Sequence, residues 1–451
     1  MANRKLVVFL FVLSATLACV PATPPATPTL TPKPATCADL DAAWAASDWP
    51  KMLLILDQLQ ADGVICGPES LDVKRYAAHF SYAVALENTG ETDAAIEHYR
   101  TALAIDGRRQ EALNALARLG ALPTPTPPTC NPSELPPYTP FSSGTFASVD
   151  GSQIVLGEKD FFIRGVNYYP RHAPWEHFFT EGNLDEMAKE LDLIADAGLN
   201  TLRVFLWYEP LFTCAPEEAL PVPEIFAKLD KLIALASKRN LHLIVTLNDL
   251  PDLHFRPLYT DWARYDAQTA FIVSRYRDEP TILAWDLRNE ADLDYGARGD
   301  SGRFERESVL AWLTHTAEIV RTNDDNHLIT AGWWGDAAET AAAVDILSFH
   351  HWTDAAELRS RIDALREQSS KPILLEEVGY PSWGEDGEAF QAETLKKVIC
   401  TAEQSQVAGW LIWTAFDFAP IDSRPDSPEH HFGLWRPDLT PKPALDTLKT
   451  E

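Results

Sequence analysis

The sequence predicts an α/β protein, a closed parallel (β/α)8 barrel preceded by a small all-α unit. Three observations predict it. From Phe141 onward, short β-rich runs alternate with amphipathic segments, and the alternation counts to eight. Residues 37–120 are instead rich in Ala and Leu with helical period. Two tracts of alternating Pro and Thr, 20–36 and 121–140, separate these regions from each other and from the N-terminal segment.

Composition bounds the reading. The chain has 451 residues, 46% of them hydrophobic, which supports a full core and exceeds one average domain. A formal charge of −28 gives no electrostatic footprint for nucleic acid and repels polyanions. Fourteen Trp against three Met is an unusual ratio, and it hints at flat ligands such as sugar rings.

Residues 1–19 read as an export signal: Arg4 and Lys5 precede an apolar run too short to span a bilayer comfortably. The segment ends Thr16-Leu17-Ala18-Cys19, which resembles a bacterial lipoprotein box with Cys19 as the lipidated residue; an ordinary signal with a chance Cys is the other reading. The expected location is therefore extracytoplasmic, secreted or held at the envelope by an N-terminal lipid. Export permits disulfides, and Cys37 with Cys66 could tie the ends of one helical unit. The Pro-Thr tracts are semi-rigid spacers, because Pro fixes φ and donates no hydrogen bond.

Within the helical unit, Tyr76–Arg109 fits a 34-residue tetratricopeptide-like repeat. Ala83, Ala95, Tyr99 and Ala102 stand where two helices interlock, Gly90 stands in the turn, and Gly107 replaces the closing Pro. Trp49–Leu59 resembles the second helix of an earlier repeat, and Gln110–Leu119 would cap the stack. Residues 38–120 could thus offer a protein partner a concave surface, or serve only as a spacer.

The barrel is justified element by element. A hairpin over Phe146–Leu156 precedes a first strand at Phe161–Asn167. Asn183 caps a helix with Leu184, Ala188, Leu191 and Ile194 on one face and Gly198 at its end. Thr201–Leu206 is the second strand, His242–Leu247 the third and Ile282–Leu287 the fourth. Leu328–Ala331, Ile346–Phe349, Ile373–Leu375 and Gly409–Thr414 complete the count, with helices at Ser308–Arg321, Ala355–Gln368, Glu388–Ser405 and Pro443–Thr450. The crossover near Asp336–Ala343 is short and weakly specified. An open doubly wound sheet would want a Gly-rich phosphate turn after its first strand, and Asn167-Tyr168-Tyr169-Pro170 is none.

A TIM barrel carries its chemistry at the C-terminal ends of its strands. Those ends hold Asn167 and Tyr168; Trp207, with Arg203 inside the second strand; Asn248 and Asp249; Asn289 and Glu290; Trp334; His350 and Trp352; Glu376 and Glu377; and Trp413. Two carboxylates among flat aromatic faces suggest glycoside hydrolysis, in which one protonates the departing oxygen and the other attacks or activates water. No cofactor motif follows any strand. The pairs His350-His351 and His430-His431 lack the spacing of a helical zinc site, so neither cofactor nor metal is expected.

Ala284-Trp285-Asp286-Leu287-Arg288-Asn289-Glu290 resembles the fourth-strand acid/base motif of clan A glycoside hydrolases. Lys371-Pro372-Ile373-Leu374-Leu375-Glu376-Glu377-Val378-Gly379 resembles their seventh-strand nucleophile motif, with Val378 in place of Phe. Arg164-Gly165-Val166-Asn167, Arg203, His350, Trp413 and Thr440-Pro441-Lys442-Pro443-Ala444 follow in family order. The resemblance covers roughly residues 146–449 and is nearest to family 5, the cellulase and mannanase group. It implies a retaining hydrolase of β-linked poly- or oligosaccharides, with Glu290 as acid/base and Glu377 as nucleophile. Asn289 would bond the sugar 2-hydroxyl, Arg203 would support Glu377, and Trp413 and His350 would line the cleaved sugar's subsite. Asn167, Tyr168, Trp207, Asn248, Trp334 and Trp352 are further candidate substrate contacts.

Glu376 competes with Glu377 for the nucleophile's place, but successive strand residues face opposite sides, so one alone should aim into the mouth. Where many members carry His-x-Tyr after strand six, this chain has His350-His351-Trp352, which leaves Tyr168 as a candidate hydroxyl partner for Glu377. Leu243–Asp249 resembles the third strand of mannanase-like members, which tilts the substrate towards β-mannan. The competing reading is a non-catalytic lipoprotein that binds carbohydrate through a degenerate barrel, or protein through its repeats.

Overall fold

The computed structural model describes residues 35–66, 70–105, 110–121, 135–214, 220–249, 258–259, 262, 265–296, 304–384, 387–419 and 426–448. The segment 1–19 with Cys19, most of both Pro-Thr tracts, Gly107 and the end of the C-terminal helix lie outside these residues. The chain divides into two compact units, before and after Pro123.

The first unit holds five helices: Cys37–Ala45, Trp49–Ala61, Leu71–Thr89, Thr92–Ile105 and Gln110–Arg118. Thr36 and Asp39 form a capping box on the first, satisfying backbone donors at both ends of the motif. Gly90 ends the third helix at φ 84°, a left-handed conformation that costs Gly little. Ala83, Ala95, Tyr99 and Ala102 are all buried, so the small residues do let the third and fourth helices approach. Cys37 and Cys66 form a disulfide across 29 residues, as their spacing suggested. Cys400 is an exposed free thiol, and Cys214 is disulfide-bonded.

In the second unit eight parallel strands follow in barrel order: Ile163–Asn167, Thr201–Phe205, His242–Thr246, Ile282–Asp286, Leu328–Thr330, Leu347–His351, Ile373–Val378 and Gly409–Ile412. Strand eight pairs with strand one, Gly409 opposite Ile163, and a parallel bridge from Trp333 to Phe349 joins the end of strand five to strand six. The sheet therefore closes. Three short antiparallel strands (Ala147–Asp150, Gln153–Leu156 and Lys159–Asp160) sit beneath it, and Ala147 and Ile154 pack with Ile163, Ile244, Leu283 and Leu374. That apolar floor leaves the opposite mouth for polar groups. Tyr138, inside the expected second spacer, is part of this unit: its hydroxyl donates to Glu279 at 2.7 Å.

Helices cover the outside. Asn183 caps Leu184–Asp196 by accepting from the amides of Asp185 and Glu186, as expected. Pro223–Ser237, Asp266–Tyr276, Arg306–Asn323, Ala355–Gln368 and Gly387–Gln404 follow. Between strands five and six the connection is only a 3-10 turn, Ala337–Thr340, which accounts for its weak sequence signal.

Candidate active site

The site is organised from below by Arg203. Its strand is buried along its whole length, and the guanidinium is wholly enclosed. Nε and Nη2 donate to Asp286 Oδ2 at 3.0 and 2.6 Å, and Nη2 to Asn289 Oδ1 at 3.0 Å. Nη1 donates to Asn167 Oδ1 at 3.1 Å and to Glu377 Oε1 at 2.5 Å. Asp286 also accepts from Thr246 Oγ1 at 2.6 Å and the Gly332 amide at 3.2 Å. A buried guanidinium needs this many acceptors, and its planar fork holds them in fixed directions.

His350 works from the other side. Its Nδ1 lies 2.8 Å from Glu290 Oε1 and 3.2 Å from Glu377 Oε2, so one ring nitrogen faces both carboxyls. Glu290, His350 and Glu377 present atoms within 4.8 Å of one another. Such a group could grip a cation, but Arg203 and His350 already bring hydrogen-bond donors to these oxygens. Glu290 itself has φ 47°, a left-handed conformation costing a non-glycine residue about 1–3 kcal/mol, and its amide donates to the Gly332 carbonyl at 2.8 Å.

Burial pushes the Glu377 carboxyl up to about 7; the His350 and Arg203 charges oppose this and the Glu290 charge adds to it. Burial alone would lower His350, but the charge of Glu377 and the contact with Glu290 hold it above the ordinary histidine value.

Over the carboxyls opens a cavity of about 480 Å³. Glu290, Glu377 and Asn289 lie in it, and Trp207, Trp334, Trp352 and Trp413 stand around it, all named from sequence. Asp249, read from sequence at the end of strand three, and Trp175, Glu429 and Phe432, which were not expected, complete the wall. Asp249 accepts from Asn289 Nδ2 at 3.0 Å, orienting that amide. Its position next to Asn248 at the end of strand three was the available signal. Trp175 and Glu429 sit in short 3-10 turns, Trp175–His177 and Pro428–His431, and Phe432 follows the second, all in connections beyond the strand ends where spacing carries no register. Glu429 Oε1 accepts from Trp413 Nε1 at 3.3 Å. Although Glu429 is exposed as a residue, burial around its carboxyl and the charges of Glu377 and Glu290 raise it to about 7.

Other expectations need correction. Tyr168 does not reach Glu377: its buried hydroxyl donates to Glu190 at 2.7 Å, behind the strand. Asn248 is 2% exposed and donates to the Leu287 carbonyl at 3.0 Å, bracing the rim rather than lining the cavity. Asn167 lies under the mouth, bonded to Arg203 and to the Glu376 carbonyl. Strict alternation on strand seven also fails. Phe349 pairs with Leu375 but His350 with Glu377, so the ladder skips Glu376. This bulge resets the alternation, and Glu376 as well as Glu377 faces the interior.

A closed barrel with paired carboxyls at its aromatic-lined mouth defines an enzyme class, the glycosidases that hydrolyse O-glycosyl bonds. The cellulase model of glycosyl hydrolase family 5 matches residues 162–417, more than half of the chain, and the protein belongs to that family. The mannan endo-1,4-beta-mannosidase F of Aspergillus fumigatus is 24% identical over 370 residues, covering 68% of this chain and 78% of the relative. Mannan endo-1,4-beta-mannosidase 3 of Arabidopsis thaliana is 24% identical over 317 residues, covering 53% and 73%. Among solved structures, a GH5_18 enzyme from Streptomyces cattleya in complex with GlcNAc is similar in fold at TM-score 0.56 and 22% identity, over 64% of this chain and 79% of that one. An exo-beta-1,4-mannosidase from an Opitutaceae bacterium has TM-score 0.56 and 18% identity, over 68% and 61%.

Proposed function

We propose that this β-glycoside hydrolase is a retaining enzyme acting on β-1,4-linked mannosides, with Glu290 as acid/base and Glu377 as nucleophile. One observation carries the mechanism: oxygens of the two carboxyls lie within 4.8 Å, bridged by His350 Nδ1. Retention needs carboxyls about 5–5.5 Å apart, whereas inversion needs about 6.5–9.5 Å to admit a water.

The pair holds one proton in the working state. Arg203 donates to Glu377 and so favours the charge there, which leaves the proton on Glu290. Glu377 attacks the anomeric carbon while the Glu290 proton passes to the departing glycosidic oxygen, giving a glycosyl ester and a free alcohol. Glu290, now a carboxylate, takes a proton from water; the water oxygen displaces Glu377 and restores both groups. Asn289, its Oδ1 held by Arg203 and its Nδ2 by Asp249, is aimed for the 2-hydroxyl of that sugar. Trp413 supplies a flat face beneath it.

The mannan preference rests on the named activities of the curated relatives and on the Leu243–Asp249 strand. A non-catalytic carbohydrate binder has no need of both carboxyls in this arrangement. Export through residues 1–19, with lipidation at Cys19, accords with the Cys37–Cys66 disulfide. No helix among the described residues is long and apolar enough to cross a membrane. Residues 38–120 are a candidate docking unit for a protein partner.

The test is a panel of β-mannan, β-glucan and xylan oligosaccharides, with products followed for chain length and for the anomer first formed. Mannan-derived products released as the β-anomer are expected; first release of the α-anomer would overturn the retaining assignment, and a preference for glucan or xylan the substrate.

A further inference from the structure

Glu376 is buried completely, and neither of its carboxyl oxygens has a hydrogen-bond partner among the described residues. His350 Nε2 is buried and unpartnered in the same way. The two orphans face each other: Glu376 Oε2 lies 4.0 Å from His350 Nε2 and 3.8 Å from Arg203 Nε. They meet over Gly332, where a Cβ would collide with both tips, so the chain keeps this space for side-chain ends. Leaving two buried polar groups unmet is costly. A rotation of roughly 1 Å at the carboxyl tip would join them in one hydrogen bond of ordinary length.

We propose that Glu376 is a positioning residue: as a neutral acid it donates its proton to His350 Nε2 and so fixes the imidazole with its hydrogen on Nδ1. Burial and two acidic neighbours favour the neutral form of Glu376, while Arg203 and His350, whose own value is raised, oppose it. Arg203 from strand two is committed to Asp286 and Glu377; Asp286 from strand four and Glu377 on its own strand are acidic; His350 comes from strand six. Burial first, then the Asp286 charge, raise its carboxyl to about 8, against the pull of Arg203 and His350.

The consequence rests on the acid/base and nucleophile reading above. With hydrogen on Nδ1, His350 can donate to whichever carboxyl carries the charge, Glu377 before attack and Glu290 after it has given up its proton. The opposite tautomer would offer both a lone pair, destabilising each anion in turn. Glu376 thereby serves a reaction whose atoms it never touches.

The test combines spectroscopy and rescue in the full chain. In protein labelled with 15N-histidine, the His350 resonances, identified by their loss in His350→Asn, are expected to show a protonated Nδ1 and an acceptor Nε2 at neutral pH without substrate. A protonated Nε2 in the wild type would overturn the proposal whether or not any variant folds. Glu376→Gln, whose amide can still donate, should retain kcat/KM within about threefold and keep the tautomer above pH 8, where the wild type loses it. Glu376→Leu should lose at least tenfold; a Gln variant as impaired as the Leu variant would refute a donor role. Turnover surviving Glu377→Ala would instead overturn the nucleophile assignment, and the tautomer would still be read independently.

Discussion

Replacing Arg203 with Lys isolates the guanidinium fork while keeping a cation. Arg203 gives Glu377 one bond, Asp286 two, and Asn167 and Asn289 one each. A lysine ammonium is a point charge on a different stem and cannot reach Asp286 and Glu377 together. Asp286 is the more deeply buried, so the ammonium should stay there and Glu377 should lose its partner. One hydrogen bond to a charged group is worth about 1.5–3 kcal/mol, and about 1.4 kcal/mol is a factor of ten. The expected loss in kcat/KM is therefore about 10- to 150-fold. The pH profile should move as well. Removing a cation from the carboxyl pair disfavours both anionic forms, so both limbs of the bell shift to higher pH. The assay is kcat/KM on an aryl β-mannoside across pH, with thermal unfolding as a control for fold. Near-normal kcat/KM with unmoved limbs, in a variant that is merely less stable, would refute Arg203 as the support of Glu377.

In the wild type, Glu377 is raised to about 7, so the singly protonated pair is present below that value and lost as pH rises through it; kcat/KM should fall above about pH 7. Constant activity to pH 9 would contradict the shared proton. Trp413→Ala removes the aromatic face at the mouth and should lower kcat/KM about tenfold or more, the 1.5–3 kcal/mol of a large apolar side chain, read by titration with mannotriose. Burial and then the charges of Glu377 and Glu290 raise Glu429 to about 7; that repulsion is mutual, so Glu429→Gln should move the alkaline limb to lower pH, a shift visible in the same profile. Cys37→Ser opens a loop of 29 residues and should cost the helical unit about 3–4 kcal/mol by loop-closure entropy, measured by denaturant unfolding.

What could be read from the sequence was whatever repeats with a period or follows a strand. Asn167, Asn289-Glu290, His350, Glu377 and Trp413 stand at strand ends and Arg203 within strand two, and closure of the barrel gathers them in or just beneath one mouth whatever the lengths of the loops between. The Asn183 cap was legible for a similar reason, since its partners are two and three residues away. Glu429 and Trp175 arrive in short 3-10 turns beyond the strand ends, where no period links position to direction. Tyr168 failed because the chain leaves strand one by turning its hydroxyl outward, towards Glu190 on the next helix. The helix absent between strands five and six left only a weak pattern, and the 3-10 turn found there explains why.

The bulge at Glu376 matters more, because it changes the charge inside the barrel. Four carboxyls, Asp286, Glu290, Glu376 and Glu377, are buried around one guanidinium and one imidazole. Asp286 accepts hydrogen bonds from Arg203, Thr246 and Gly332. That leaves Arg203 already balanced, with three further acids in a medium where an unpaired charge is costly. Protons must therefore reside among them at neutral pH. In the proposed mechanism one on Glu290 is the proton the reaction spends, and in the proposed positioning role one on Glu376 lets His350 point its hydrogen at the reacting pair. Had strand seven alternated regularly, Glu376 would have faced the helices and the mouth would have held one acid fewer. The net charge of −28 says nothing of this; the arrangement comes from a single skipped residue in one ladder.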